Sequence, residues 1–107
     1  MAILHKLEVL RYIYPNEAEL DLILEKLLET ALNQHRLRLE RYDRDLHQFE
    51  KRFGIDSPTF HQRFESGKMG DAMDFFEWAG LYELRQDVLK KIQHLKSPTD
   101  EFLAEWL

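Results

Sequence analysis

Apolar residues recur at helical spacing along most of the chain, and few glycines or prolines interrupt them. Apolar positions three and four residues apart fall on one face of a helix, so the pattern predicts helical segments throughout. For the first segment, alternating apolar positions also suit a strand, and we favour the helix. The predicted segments of a single domain, 1–107, are 3–14, 17–53, 58–66, 71–95 and 98–107.

The longest pattern lies in the second segment, which contains no Gly or Pro between Glu17 and Phe53. Its apolar positions alternate between spacings of four and three residues, which is the heptad pattern of a coiled coil. We therefore expect this helix to self-associate. The residues predicted to line the seam are Leu28, Leu32, Leu39, Tyr42, Leu46 and Phe49.

The length of this helix is a constraint on the fold. At 1.5 Å per residue, 37 residues span about 55 Å, whereas a compact chain of this size has a radius of gyration of about 13 Å. Either the helix bends, most easily at 33–35, or the protein is elongated and another helix or subunit covers the far end. We predict an all-α fold, a long antiparallel helical hairpin with a short linker helix, assembling as a dimeric bundle.

Glycine and capping residues mark the ends of the predicted helices. Gly54 is a C-cap signal, and Asp56 followed by Pro58 is typical of a helix start. Asp71 is the predicted N-cap of the last long helix. Gly80 lies inside that helix, where we expect another backbone to approach closely.

Charge and composition restrict the class of function. The net charge is −5, which argues against a protein that binds nucleic acid through overall charge and favours a basic partner. The chain has no cysteine, which excludes disulfides and thiolate metal sites and fits a reducing, cytoplasmic location. No apolar run is long enough for a membrane span.

Catalytic motifs are absent from the sequence. Neither a Gly-x-Ser-x-Gly elbow nor a phosphate-binding glycine loop occurs, so we predict no enzyme, no cofactor and no metal site. Asp43, His47 and Glu50 share a helical face, and so do His61 and Glu65. Such sets are usually solvated ion pairs. A metal-dependent enzyme using Asp43, His47 and Glu50 is the third interpretation, after two non-catalytic ones given below.

Acidic and aromatic residues alternate in 71–83, where no basic residue occurs. They either pack between the hairpin and the linker helix or form an apolar anchor with an acidic rim for a basic protein. The C-terminal residues have a similar pattern and either fold back or dock in a partner's groove. The predicted partner-binding residues are Asp74, Phe75, Glu77, Trp78, Phe102, Trp106 and Leu107.

Residues 46–92 resemble a group of small uncharacterised helical proteins of cyanobacteria, other bacteria and archaea. The resemblance rests on a pattern like F-E-x-x-[YF]-G, then F-x-x-x-[FW], G-x-x-G-D and D-x-x-E-W. The chain departs from it at Phe53, where Tyr is commoner. The matching residues are Phe49, Glu50, Phe53, Gly54, Phe60, Phe64, Gly67, Gly70, Asp71, Asp74, Glu77 and Trp78.

Members of that group look like the antitoxin halves of two-gene toxin–antitoxin modules. The resemblance implies a non-catalytic inhibitor that binds a small basic, RNA-cleaving toxin, with no direct contact to nucleic acid or membrane. Such an inhibitor would cover the active surface and repel RNA phosphate. The alternative is a homo-oligomeric helical scaffold or adaptor without a toxin partner.

Overall fold

The computed structural model describes residues 2–96, and within that range the chain is all-helical with no strand. This confirms the all-α part of the predicted fold. The predicted segment 98–107 lies outside the described residues. The four helices are α1 (Ala2–Ile13), α2 (Glu17–Phe53), α3 (Ser57–Glu65) and α4 (Met73–Lys96).

Helix α2 runs unbroken through 33–35, so the conflict between helix length and chain size is resolved by an elongated shape. The molecule measures 57 × 27 × 25 Å and has a radius of gyration of 19.4 Å. A compact chain of this length would have a radius of about 13 Å. The long dimension is therefore close to the length of α2 itself.

Side-chain and glycine caps fix the ends of α2 and the start of α3. Asn16 Oδ1 accepts a hydrogen bond from the Ala18 N–H at 2.9 Å, and Gly54 ends the helix with a left-handed φ of 72°. Asp56 Oδ1 accepts from the Thr59 N–H at 2.8 Å. Hydrogen bonds from the Thr59 side chain, the larger effect, and from the Thr59 backbone lower the pKa of the Asp56 carboxyl.

Helix α4 begins two residues later than its predicted cap at Asp71. The carbonyl of Ala72 accepts hydrogen bonds from the N–H groups of Phe75 and Phe76, so Ala72 holds the position that Asp71 was expected to take. Gly70, with φ of 82°, still belongs to the preceding turn. The prediction for Asp71 was wrong because the turn extends beyond it.

An aromatic stack forms the core where α2, α3 and α4 meet. The Trp78 ring is completely buried and lies parallel to Phe60, with centroids 3.7 Å apart. Phe49 and Phe53 of α2 stack on Trp78 at 5.6 Å. Leu46 is buried in the same cluster. Three helices thus share one indole ring.

Hydrogen bonds satisfy the polar atoms in this core. The Trp78 Nε1–H donates to Ser57 Oγ at 2.9 Å, and this bond is buried. The Ser57 N–H donates to Glu50 Oε2 at 2.7 Å. Because Ser57 starts α3, Glu50 and Trp78 together fix the start of the linker helix against α2 and α4.

Helix α4 also packs on α2 beyond the aromatic stack, where Val88 and Ile92 are buried. Two ion pairs join α2 and α4. Arg52 pairs with Asp74 at 3.1 Å beside the aromatic stack, and Arg85 Nε donates to Asp43 Oδ1 further along α4. Helix α1 makes at most a marginal contact with the other helices.

Gly80 is not explained by a close backbone, contrary to the prediction. A Cβ atom added at this position would meet no atom within 4 Å outside the helix's own backbone. Gly80 therefore lies in the middle of α4 with free space beside its Cα atom. Its effect on stability is the entropy cost that glycine brings to a helix.

Replacing Ser57 with Ala should lower the free energy of unfolding by about 1–3 kcal/mol, because the buried Trp78 N–H loses its acceptor. Urea unfolding followed by circular dichroism measures this loss. Ser66→Ala, at an exposed serine, is the control. In the S57A/W78F double variant, the total loss in the free energy of unfolding should be smaller than the sum of the losses in the two single variants. Equal effects of S57A and S66A would contradict the role of this bond.

Replacing Gly80 with Ala should raise the free energy of unfolding by roughly 0.5–1 kcal/mol, because alanine has a smaller entropy cost in a helix. The matched control is Gly54→Ala, which should lower it because φ of 72° is strained for an L residue. Opposite signs in thermal or urea unfolding support the structure. A loss of stability in G80A would show that something occupies the space beside Gly80.

Candidate functional site

Trp78 is a core residue rather than the surface anchor predicted for it. Its side chain is completely buried among the rings of the aromatic stack, so a partner cannot reach it. Phe75 is half-buried, in edge contact with Phe53 at 5.3 Å. The prediction was wrong for Trp78 because α2 and α3 cover two different sides of α4 at this level.

An exposed acidic and apolar patch remains at the start of α4, and we call it the α4 patch. It consists of Met73, 81% exposed, Phe76, 53% exposed, and Glu77. Phe76 rests edge-on against Phe64 with centroids 5.2 Å apart, which holds its ring at the surface. Asp74 lies beside the patch but is paired with Arg52.

Phe76 and Met73 were missed among the predicted site residues. Successive helical residues point about 100° apart, so the burial of Phe75 towards α2 turns Phe76 away from it. The sequence shows that Phe75 and Phe76 point in different directions, but it does not show which of the two faces the core. The predicted residues Phe102, Trp106 and Leu107 lie outside the described part of the chain.

The predicted self-association seam divides into a covered part and an open part. Leu46 is buried in the chain's own core and Phe49 stacks on Trp78, so these two are not available to a second copy. Leu32, Leu39 and Tyr42 are half-buried. Leu28 is exposed. The prediction of one continuous intermolecular seam is therefore wrong at its C-terminal end.

Leu28, the exposed residue of the predicted seam, belongs to a larger surface at residues 2–30, which we call the N-terminal arm. It contains α1 and the first part of α2. No residue of 2–45 is buried. Large apolar side chains are exposed on both helices of the arm. They are Ile3, Leu4, Leu7, Val9, Tyr12, Ile13, Leu22, Leu27 and Leu28.

A cleft of about 280 Å³ separates the two helices of the arm. Leu4, Leu7 and Leu10 line it from α1, and Leu20 and Leu24 line it from α2. Arg11 and Glu17 are 3.9 Å apart across the connecting turn, and both are well exposed. An exposed pair of this kind contributes little to stability, so the arm has no strong internal bond of its own.

Asp43, His47 and Glu50 do not form a metal site in the structure. Asp43 binds Arg85, and Glu50 is occupied by the Ser57 N–H. His47 Nδ1 lies 3.7 Å from Glu50 Oε1. These side chains therefore bind neighbouring protein groups and hold helices together.

His61, Glu65 and Glu83 bring three possible ligand atoms within 4.8 Å of one another. His61 Nε2 lies 3.5 Å from Glu65 and 3.3 Å from Glu83, and its ring packs on Tyr82. Both carboxylates are more than half exposed, so water competes for them. A histidine pairing with two glutamates across α3 and α4 accounts for this geometry without a cation.

Comparison with protein-family models, with curated proteins and with solved structures gave no match for this chain. Within residues 2–96, none of the helices combines the length and apolar character needed to cross a membrane. The two exposed surfaces, the N-terminal arm and the α4 patch, are therefore the features of the described residues from which a function can be inferred.

Proposed function

We propose that this chain is a non-catalytic protein-binding regulator, an antitoxin-like inhibitor of a small basic protein in the cytoplasm. The exposed apolar surface of the N-terminal arm supports a protein-binding role, and the exposed α4 patch supports a basic partner. Contiguous apolar surface of this extent is rare on monomeric proteins and marks sites of protein interaction. The chain devotes 29 residues, 2–30, to a segment with no core of its own.

The proposed architecture is an antiparallel hairpin of α2 and α4 with α3 as the linker. The ion pairs support it, because Arg52 pairs with Asp74 whereas Asp43, earlier in α2, pairs with Arg85, later in α4. The hairpin holds the α4 patch at one end of the molecule. The arm extends from the other end, so that two different partners could bind at once.

The α4 patch suits a basic partner. Met73 and Phe76 supply apolar contact area, and Asp71 and Glu77 supply exposed negative charge beside it. Aromatic residues with a charged rim are typical of interface centres. If the acidic α4 patch of this chain covered an RNA-cleaving partner, its negative charge would also repel the RNA phosphates. This is the inhibition implied by the resemblance to antitoxins.

A homo-oligomeric scaffold is the second candidate function. The specific observation in its favour is that the arm, rather than the α4 patch, holds most of the large exposed apolar side chains. A scaffold needs only the arm, whereas an inhibitor of a basic toxin needs the α4 patch as well. Changes in the α4 patch therefore separate the two.

The test is co-expression with the protein encoded beside this chain. That protein alone should stop growth, and this chain should restore it. Phe76→Ser with Glu77→Lys should weaken binding at least about tenfold, as loss of an interface centre does, and should abolish rescue. Gln93→Lys, at an exposed position elsewhere on α4, is the control. Harmless expression of the neighbouring protein, or full rescue by F76S/E77K, would overturn the inhibitor proposal.

A further inference from the structure

The part of α2 in the N-terminal arm extends beyond the end of α4. From the Arg52–Asp74 pair to the Asp43–Arg85 pair, the contact moves nine residues back along α2 and eleven forward along α4. The same register places Lys96, the last residue of α4, near residues 32–34. About fifteen residues of α2, roughly 22 Å of helix, continue without α4 beside them.

Helix α1 cannot supply the missing cover by itself. Eight of its twelve residues are apolar, yet none is buried. Tyr12 is 87% exposed and Ile3 is 74% exposed. A helix with apolar residues around most of its circumference is normally enclosed by others. A twelve-residue helix is also marginal in water unless it packs on something.

The excess of exposed surface is large enough for a stable interface. The chain exposes 8691 Å², whereas a compact monomer of this mass exposes about 6,300 Å². The difference, about 2,400 Å², exceeds the roughly 800 Å² per partner that a standard interface buries. This excess belongs to the whole elongated molecule, in which most of the large exposed apolar side chains lie on the arm.

The two helices of the arm carry opposite charge. Helix α1 has Lys6 and Arg11 against Glu8, a net charge of +1 with His5 neutral. Residues 17–30 of α2 have five carboxylates against one lysine, a net charge of −4. A second copy can thus present a basic apolar helix to an acidic apolar one, and the same contact repeats by two-fold symmetry.

We infer that a second copy of this chain covers the N-terminal arm. Helix α1 of each copy lies on residues 17–30 of the other copy and fills the cleft beside Leu20 and Leu24. The four helical segments form an intermolecular bundle. The inference deepens the proposed function by naming one partner of the arm, and it leaves the α4 patch of both copies free for another protein.

Cross-linking tests the predicted contact, because the chain has no cysteine and a single introduced one is unique. One chain carries Leu7→Cys and a second, differently tagged chain carries Leu24→Cys. After mixing under mild oxidation, the mixed disulfide should form. Pairing Leu7→Cys with Gln93→Cys is the control and should give little product. Absence of the L7C–L24C disulfide would overturn this arrangement.

Light scattering with matched leucine variants tests the same inference independently. The wild-type chain should have twice the 12.9 kDa mass of one chain. Leu7→Glu should give a monomer with its helical circular dichroism largely retained, because Leu7 is outside the core. Leu84→Glu is the control, since Leu84 is 49% exposed and Leu7 is 48% exposed, and it should remain a dimer.

A wild-type monomer at high micromolar concentration would overturn the inference, and so would monomers of L84E with dimers of L7E. These results are separate from the growth assay, which reports on the α4 patch. If a different protein covers the arm, the chain alone stays monomeric and L7E loses that protein instead. A wild-type chain that is monomeric and still rescues growth would leave the proposed inhibitor in place and remove the dimer.

Discussion

A 37-residue helix that is packed along only part of its length determines the rest of this structure. Helix α4 has 24 residues and α3 has nine, so these two helices cover one end of α2 and not the other. Apolar side chains continue along the same face of α2 past the covered part, through Leu28 and Leu24. Within residues 2–96, the mismatch between helix lengths therefore leaves the arm exposed.

The Trp78 indole stabilises the covered end of α2, because it lies at the centre of the core that α2, α3 and α4 form. Its faces contact rings from α2 and α3, and its N–H is satisfied by Ser57. Because this core forms within one chain, the arm does not have to contribute to it and is available for intermolecular contact. The same arrangement leaves Phe76 outside, so the α4 patch is a consequence of how the core is built.

Helix positions could be predicted from the sequence because caps and breakers act locally, and Gly54 and Asp56 perform the predicted roles. The burial of each aromatic side chain could not be predicted, since it depends on which helix packs on which side of α4. Trp78 and Phe76 are two residues apart with similar apolar character, yet one is enclosed and the other exposed. The heptad spacing identifies apolar residues on one face of α2, but it could not show that Leu46 and Phe49 pack within the chain.

We infer that α1 is ordered by a second copy of the chain. Amide hydrogen exchange at several protein concentrations tests this inference, because a helix with marginal internal contacts exchanges quickly unless a partner protects it. Protection of α1 and residues 17–30 should increase with concentration until the dimer is fully formed, while protection around Trp78 stays constant. Rapid, unprotected exchange of α1 at every concentration would show that no second copy covers it.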